Sequence, residues 1–179
     1  MTDLYQSADG PTPETAPILD ERLSSLAEAA LTLKQLGWNL TGHYATNLRR
    51  AIEREVDRIW AMIDAMAERI AALGGIPSDA PEHLIERHNH HEIAVGRATA
   101  GESLALLDTI FRGLADGHRC ASDKIGESDP VSLALLRHQI HNFETSRRLI
   151  GASLRGDTGR PRRLTEEVLE AMRRQAGIL

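Results

Sequence analysis

The stretch from Leu48 to Pro77 reads LRRAIEREVDRIWAMIDAMAERIAALGGIP. Leu48, Ile52, Val56, Ile59, Ile63, Met66, Ile70 and Leu73 recur at steps of three and four, so a helix gathers them on one stripe. Gly74 and Gly75, with Pro77 just beyond, stop the pattern, because glycine accepts the turn that closes a helix and proline cannot continue one. The polar side of the same helix is patterned too. At about 100° per residue, Glu53, Asp57, Asp64 and Glu68 fall within roughly 60° of one another, with Arg49 at the upper end of their face.

Working outward, Leu19, Leu23, Leu26, Ala30, Leu33 and Leu40 make the stripe of an earlier long helix, on which Gly37 also falls. Residues from Pro77 to about Ala98 lose the period and read as a long connection with room for one short helix. A third helix follows with Leu104, Leu107, Phe111, Leu114, His118 and Ile125 inward, ending near Gly126. Asp129 and Pro130 are an N-cap and first-turn pair for a fourth, with Leu133, Leu136, Ile140, Phe143, Ile150 and Leu154 facing the core. Four long amphipathic helices with one long central connection predict an all-α four-helix bundle with a crossover. The bundle is expected over residues 18–154, after an acidic, disordered tail at 1–17. Residues 155–179 form a C-terminal extension with a short amphipathic helix opened by Thr165.

Composition agrees with one helical domain. The chain has 179 residues, 41% apolar and only 3% aromatic, which suits helices packed by Ala and Leu better than sheets. Cys120 stands alone, so no intrachain disulfide forms, and MTDLYQSADG at the start lacks a signal-peptide pattern; a cytoplasmic protein is expected. No apolar run approaches the roughly 20 residues that span a bilayer. A net charge of −5 speaks against nucleic acid as a favoured partner.

The acidic row has two readings. One is a solvated helix face. The other is metal binding, but Glu53 and Asp64 are eleven positions apart, roughly 16 Å along a helix, and cannot hold one ion within one chain. An antiparallel two-fold copy would set Glu53 of one chain against Asp64 and Glu68 of the other.

Trp38, Asn39 and Gly42, the run DAMAER from Asp64 to Arg69 with ALGGIP after it, and DPVSLALL from Asp129 resemble the Dps family, the ferritin-like DNA-binding proteins from starved cells. The resemblance runs from about Leu19 to Leu154. It implies a four-helix bundle with a short helix in the central connection, assembled through two-fold dimers into a hollow homo-oligomeric dodecamer. It implies iron storage and stress protection, with peroxide-driven Fe(II) oxidation at a site between two-fold-related subunits. By the same resemblance, Asp64 and Glu68 are the acids one subunit lends to that site, and Glu53 is the acid from the other. The two histidines that the family places before the Trp-Asn pair and eleven residues after the tryptophan are Gly37 and Arg49 here. Near the end of the fourth helix FETSRR keeps only Glu144 of the family's run.

These departures change the expected chemistry. Glu53, Asp64 and Glu68 still offer oxygen donors to iron or another divalent metal, but without imidazole the site is weak. Arg49 is a permanent cation that pairs with carboxylates and competes for the metal's place. Gly37 has a packing reading, that it lets another helix approach closely. The expectation is a degraded ferroxidase centre. Two alternatives stay open: an active ferroxidase using Glu53, Asp64, Glu68 and a histidine borrowed from His43 or the central connection, and a structural subunit that co-assembles with an intact paralogue.

Other histidines are candidates of a weaker kind. His88, His90 and His91, with His83, Glu82, Glu86 and Glu92, could bind a divalent metal or respond to acid, although RHNHHE has no spacing tied to one helical face. His118, on an apolar stripe, is expected to be a hydrogen-bonded core residue. His138, His141 and Glu144 stand at successive threes on the fourth helix, as a site or a polar face. Arg160, Arg162 and Arg163 are the candidates for DNA contact, through multivalency only.

Overall fold

A computed structural model of the protein describes residues 14–42, 45–77 and 98–155. Among the described residues four long helices make the fold: α1 Thr15–Asn39, α2 Ala45–Ala72, α3 Ala100–Ile125 and α4 Pro130–Arg155, with a 3₁₀ turn Gly126–Ser128 between the last two. The all-α bundle expected from the sequence is the observed architecture. The expected tail at 1–17 is too long at its inner end, since α1 already begins at Thr15. Pro17 falls in the first turn, where its missing N–H costs nothing, and buried Thr15 and half-buried Ala16 hold that turn against the body.

Each helix end follows from its residues. At the end of α2 the Gly74 N–H donates to the Ala71 carbonyl at 2.9 Å and the Gly75 N–H to the Ile70 carbonyl at 3.0 Å, the paired bonds of a Schellman cap. Gly74 supplies the positive φ of 79° that this cap needs. Gly75 is there for space: a Cβ would lie 2.9 Å from Ile70 Cγ2 and 3.0 Å from Ala16 Cβ. Thr99 and Glu102 form a reciprocal capping box at the start of α3. Asp129 caps α4, accepting from the Ser132 N–H at 3.0 Å, and Pro130 takes the first helical position.

The pairing of ends fixes the topology. α1 and α2 form one close antiparallel hairpin, and α3 and α4 another. Ala98 donates to the Asn39 carbonyl at 3.2 Å and accepts from the Thr41 N–H at 3.1 Å, so α3 starts beside the α1–α2 turn. Arg69, near the end of α2, reaches Asp129 at the start of α4. The chain thus leaves α2 at one end of the bundle and enters α3 at the other, as a crossover bundle requires.

The core holds the stripes read from the sequence. Leu19, Leu26, Leu33, Ile52, Ile59, Met66, Leu107, Phe111, Leu136 and Phe143 are fully buried, each contributing about 1.5–3 kcal/mol by leaving water. Phe111 and Phe143 stack at 6.1 Å. Leu73 and Ile140 are only half-buried, and the side chain of Leu154 lies outside the described residues. What the apolar pattern did not announce is a polar seam between α2 and α4. Ser132, Gln139 and Ser146, seven apart on α4, are all buried. Arg69 donates from Nε to Ser132 Oγ at 2.9 Å, Gln139 Nε2 donates to the Met62 carbonyl at 3.2 Å, and Ser146 meets the Glu55 carboxylate at 3.4 Å. The α2 partners are also seven apart, so the seam is a ladder with one rung per two turns.

Candidate functional site

The outward face of the α1–α2 hairpin carries the residues singled out from the sequence. Glu53, Asp57, Asp64 and Glu68 are all exposed, along the side of α2 predicted from their spacing. Trp60 lies among them, 46% exposed, three residues after Asp57 and four before Asp64. On α1, Leu31 and Trp38 are exposed and one heptad apart, hence on a common stripe. An apolar and acidic face of this kind is unusual on a helix whose other side already fills a core.

Gly37 and Arg49 meet at the corner of the hairpin. Arg49 donates from Nε to the Gly37 carbonyl at 2.8 Å. Gly37 lies in the last turn of α1, where carbonyls have no intrahelical partner and the helix dipole is negative, so the guanidinium serves as a cap delivered from α2. Within the described residues Arg49's hydrogen bond goes to this carbonyl. One correction follows: Gly37 is not required for close approach of α1 and α2, since a Cβ there would stand 3.8 Å from Arg49 Cγ and Ile52 Cγ2, ordinary contact. A side chain longer than alanine would instead contend with the Arg49 stem. The two positions are one unit in space.

Among the described residues, no three of His, Cys, Asp and Glu come close enough to share a metal ion. Glu53 on one side and Asp64 with Glu68 on the other are therefore not a centre within one chain, as their separation along α2 requires. His138 and His141 are exposed, His138 bonding to Asn142 Nδ2 at 3.2 Å, while Glu144 pairs with Arg119. That row is a polar helix face. His43, His88, His90, His91, Arg160, Arg162, Arg163, the short helix in the connection and the C-terminal helix lie outside the described residues.

Sequence reasoning overlooked Glu55. It is two residues from exposed Glu53 yet only 3% exposed, with Arg58 Nη1 donating to its oxygens at 3.0 and 3.1 Å and to Ser146 Oγ at 3.3 Å. Burial pushes its carboxyl up, and the Arg58 charge and Ser146 hydroxyl pull back without cancelling the shift. The signal available was the heptad from Glu55 through Met62 to Arg69, opposite Ser132, Gln139 and Ser146. At Asp129, burial also pushes upward, but Arg69 donating from Nη2 at 2.7 and 2.8 Å, with the Ser132 bonds, holds the carboxyl below its ordinary value.

The ferritin-like domain family matches residues 17–156 of the chain. The DNA protection during starvation protein of Mycolicibacterium smegmatis is 31% identical over 72% of this chain and 70% of its own length. The chain belongs to the Dps family of ferritin-like proteins. Another relative, the fine tangled pili major subunit of Haemophilus ducreyi, is 32% identical over 88% of this chain and 87% of that protein. Among solved structures, Mycobacterium smegmatis Dps superposes with a TM-score of 0.75 at 29% identity, covering 82% of this chain and 84% of that one. DpsA14 from Streptomyces coelicolor gives 0.73 at 33% identity, covering 78% and 83%. Iron handling and stress protection are the general role of this Dps family, and its members form dodecamers. No helix among the described residues is long and apolar enough to cross a membrane.

Proposed function

We propose that this Dps-family chain is a shell subunit that handles iron by sequestration, with an inter-subunit ferroxidase centre that has lost its imidazoles. The carrying observation is the Arg49–Gly37 bond at 2.8 Å. The two positions at which the family places its histidines are occupied by one capping contact, which seats a permanent cation at the edge of the acidic face. Iron is the cargo here. Glu53, Asp64 and Glu68 suit a hard cation, and a guanidinium beside them lowers its affinity by charge repulsion and by competition.

In this reading two copies meet through the outward α1–α2 face. Exposed Leu31, Trp38 and Trp60 supply apolar area, and the free end of Arg49 reaches Asp64 and Glu68 of the partner subunit. Twelve such subunits make a strongly acidic, cytoplasmic shell, so DNA contact through Arg160, Arg162 and Arg163 is weak and lost by about 0.15 M salt.

Peroxide-driven Fe(II) oxidation, followed by absorbance, tests the reading. The native protein is expected to oxidise iron little faster than buffer, while Arg49→His combined with Gly37→His gives saturable oxidation. Fast oxidation by the native protein, abolished by Glu68→Ala, would falsify the degraded centre and favour substitute ligands such as His43 or His88, His90 and His91.

One observation favours a second reading, that of a structural subunit. A relative spanning 88% of the chain is named for a pilus rather than for iron or DNA. Native mass measurement of the chain alone and co-expressed with an intact Dps paralogue separates the readings: mixed shells support the structural subunit, and homogeneous dodecamers the first proposal.

A further inference from the structure

His118 on α3 is 0% exposed, its ring edge-on to Phe143 at 5.3 Å. Nδ1 lies 2.8 Å from the Leu114 carbonyl oxygen and Nε2 lies 2.8 Å from Gln139 Oε1. The amide of Gln139 is oriented by its other end, where Nε2 donates to the Met62 carbonyl at 3.2 Å. Both ring nitrogens therefore face oxygen acceptors. A neutral imidazole has one N–H, so it satisfies one acceptor and sets a lone pair against the other.

An imidazolium would satisfy both oxygens at the cost of a charge in the core. The neighbours make that cost larger. Arg22 of α1 lies against α3 at Gly117, where a Cβ would stand 2.1 Å from Arg22 Nη1, so a guanidinium occupies side-chain space at the residue before His118. From α4 come neutral Gln139 and Phe143, and from α2 the Met62 carbonyl. One rung along the seam, Glu55 is already engaged by Arg58.

We propose that His118 is an acid-operated latch: neutral, it ties α3 through Gln139 to α2, and on taking up a proton it is driven from the core and from Arg22, opening this junction locally. Burial holds the imidazole down to about 4, against the pull of the Gln139 and Leu114 bonds and with the Arg22 charge adding to the depression. The ordinary value is 6.5. The neutral ring's contribution is therefore complete above pH 6.5 and is lost as pH falls from there towards 4. Glu55 works in the opposite sense: its raised carboxyl binds a proton better in the folded chain, so Glu55→Gln exposes more of the His118 response.

Amide hydrogen exchange of the full chain by mass spectrometry at pH 7 and pH 5, corrected for intrinsic rates, tests the latch. Local opening around residues 114–121 and 136–143 is expected to increase on the order of tenfold at pH 5, with the α1–α2 turn unchanged. His118→Gln removes most of that response, and Gln139→Glu, which sets a carboxylate beside the ring and so favours the imidazolium in the folded chain, shrinks it. Equal exchange at both pH values in the native chain overturns the proposal, as does a response spread evenly over all helices. A full response in either variant does the same. Where His118→Gln does not fold, the native exchange map and Gln139→Glu decide.

Discussion

Helix α2 presents acids on two sides, and their fates are opposite. On the outward side Glu53, Asp57, Asp64 and Glu68 are exposed, and Arg49 at the end of their row donates to a backbone carbonyl. On the inward side Glu55 is buried against Arg58 and Ser146, and the same seam holds Arg69, Asp129 and Ser132 in a closed set of hydrogen bonds. A charge in the seam has its partner supplied by the fold, whereas the charges on the face are left in solvent contact. The seam therefore fixes how the hairpins register, and the face is where the proposed two-fold contact would form. The hairpins approach less closely along α2 and α4 than along α1 and α3, and there the polar seam spans the gap.

The strongest way to break this comparison is at Asp129. Asp129→Ala removes the α4 cap and leaves Arg69 without its carboxylate, and should lower stability by about 3–5 kcal/mol in urea unfolding. A loss under about 1 kcal/mol would mean that the seam counts no more than a surface pair. Because Asp129 titrates below its ordinary 3.8, its contribution is present above that pH and lost as pH falls further. Asp129→Asn should accordingly flatten the acid limb of the unfolding curve below about pH 4.

Next in size is a paired substitution on α2. Glu55→Ala should cost roughly 3 kcal/mol, since Arg58 loses its partner in a part-buried place, while Glu53→Ala should stay within about 0.5 kcal/mol. Equal losses would erase the difference between the two sides. A smaller effect is expected at the end of the helix. Gly75→Ala forces a methyl against Ile70 and Ala16 and should cost about 1–3 kcal/mol by thermal or urea unfolding. Gly37→Ala, by contrast, meets only ordinary contacts and removes a helical glycine, so a gain of roughly 0.5–1 kcal/mol is expected. A loss there would return Gly37 to the close-packing role that the geometry denies it.

Much of the fold was legible because its signals are local. The period from Leu48 to Leu73, its stop at Gly74 and Gly75, and the cap at Asp129 with Pro130 each depend on residues within a few turns. His118 was legible as a core histidine from the stripe it shares with Leu114 and Phe111. The start of α1 was missed by a few residues because proline reads as a breaker until it is seen in a first turn. Of the site, the exposed acidic row was legible, since a helix of known phase places side chains by arithmetic. The capping bond of Arg49 to Gly37 was not, because arginine among acids reads as a salt bridge, and a backbone acceptor twelve residues back has no mark in a sequence.

The sequence by itself determined four helices, their inward stripes, the two replaced positions and the row of acids, because periodicity, glycine, proline and caps act over one or two turns. Only the tertiary structure decided which charges are paired. Arg69 finds Ser132 across 63 positions, Gln139 finds Met62 across 77 and Ser146 finds Glu55 across 91. The physical reason is that a buried polar group is stable only beside a complementary one. Which complement it meets depends on how the helices cross, and the chain's own order does not contain that.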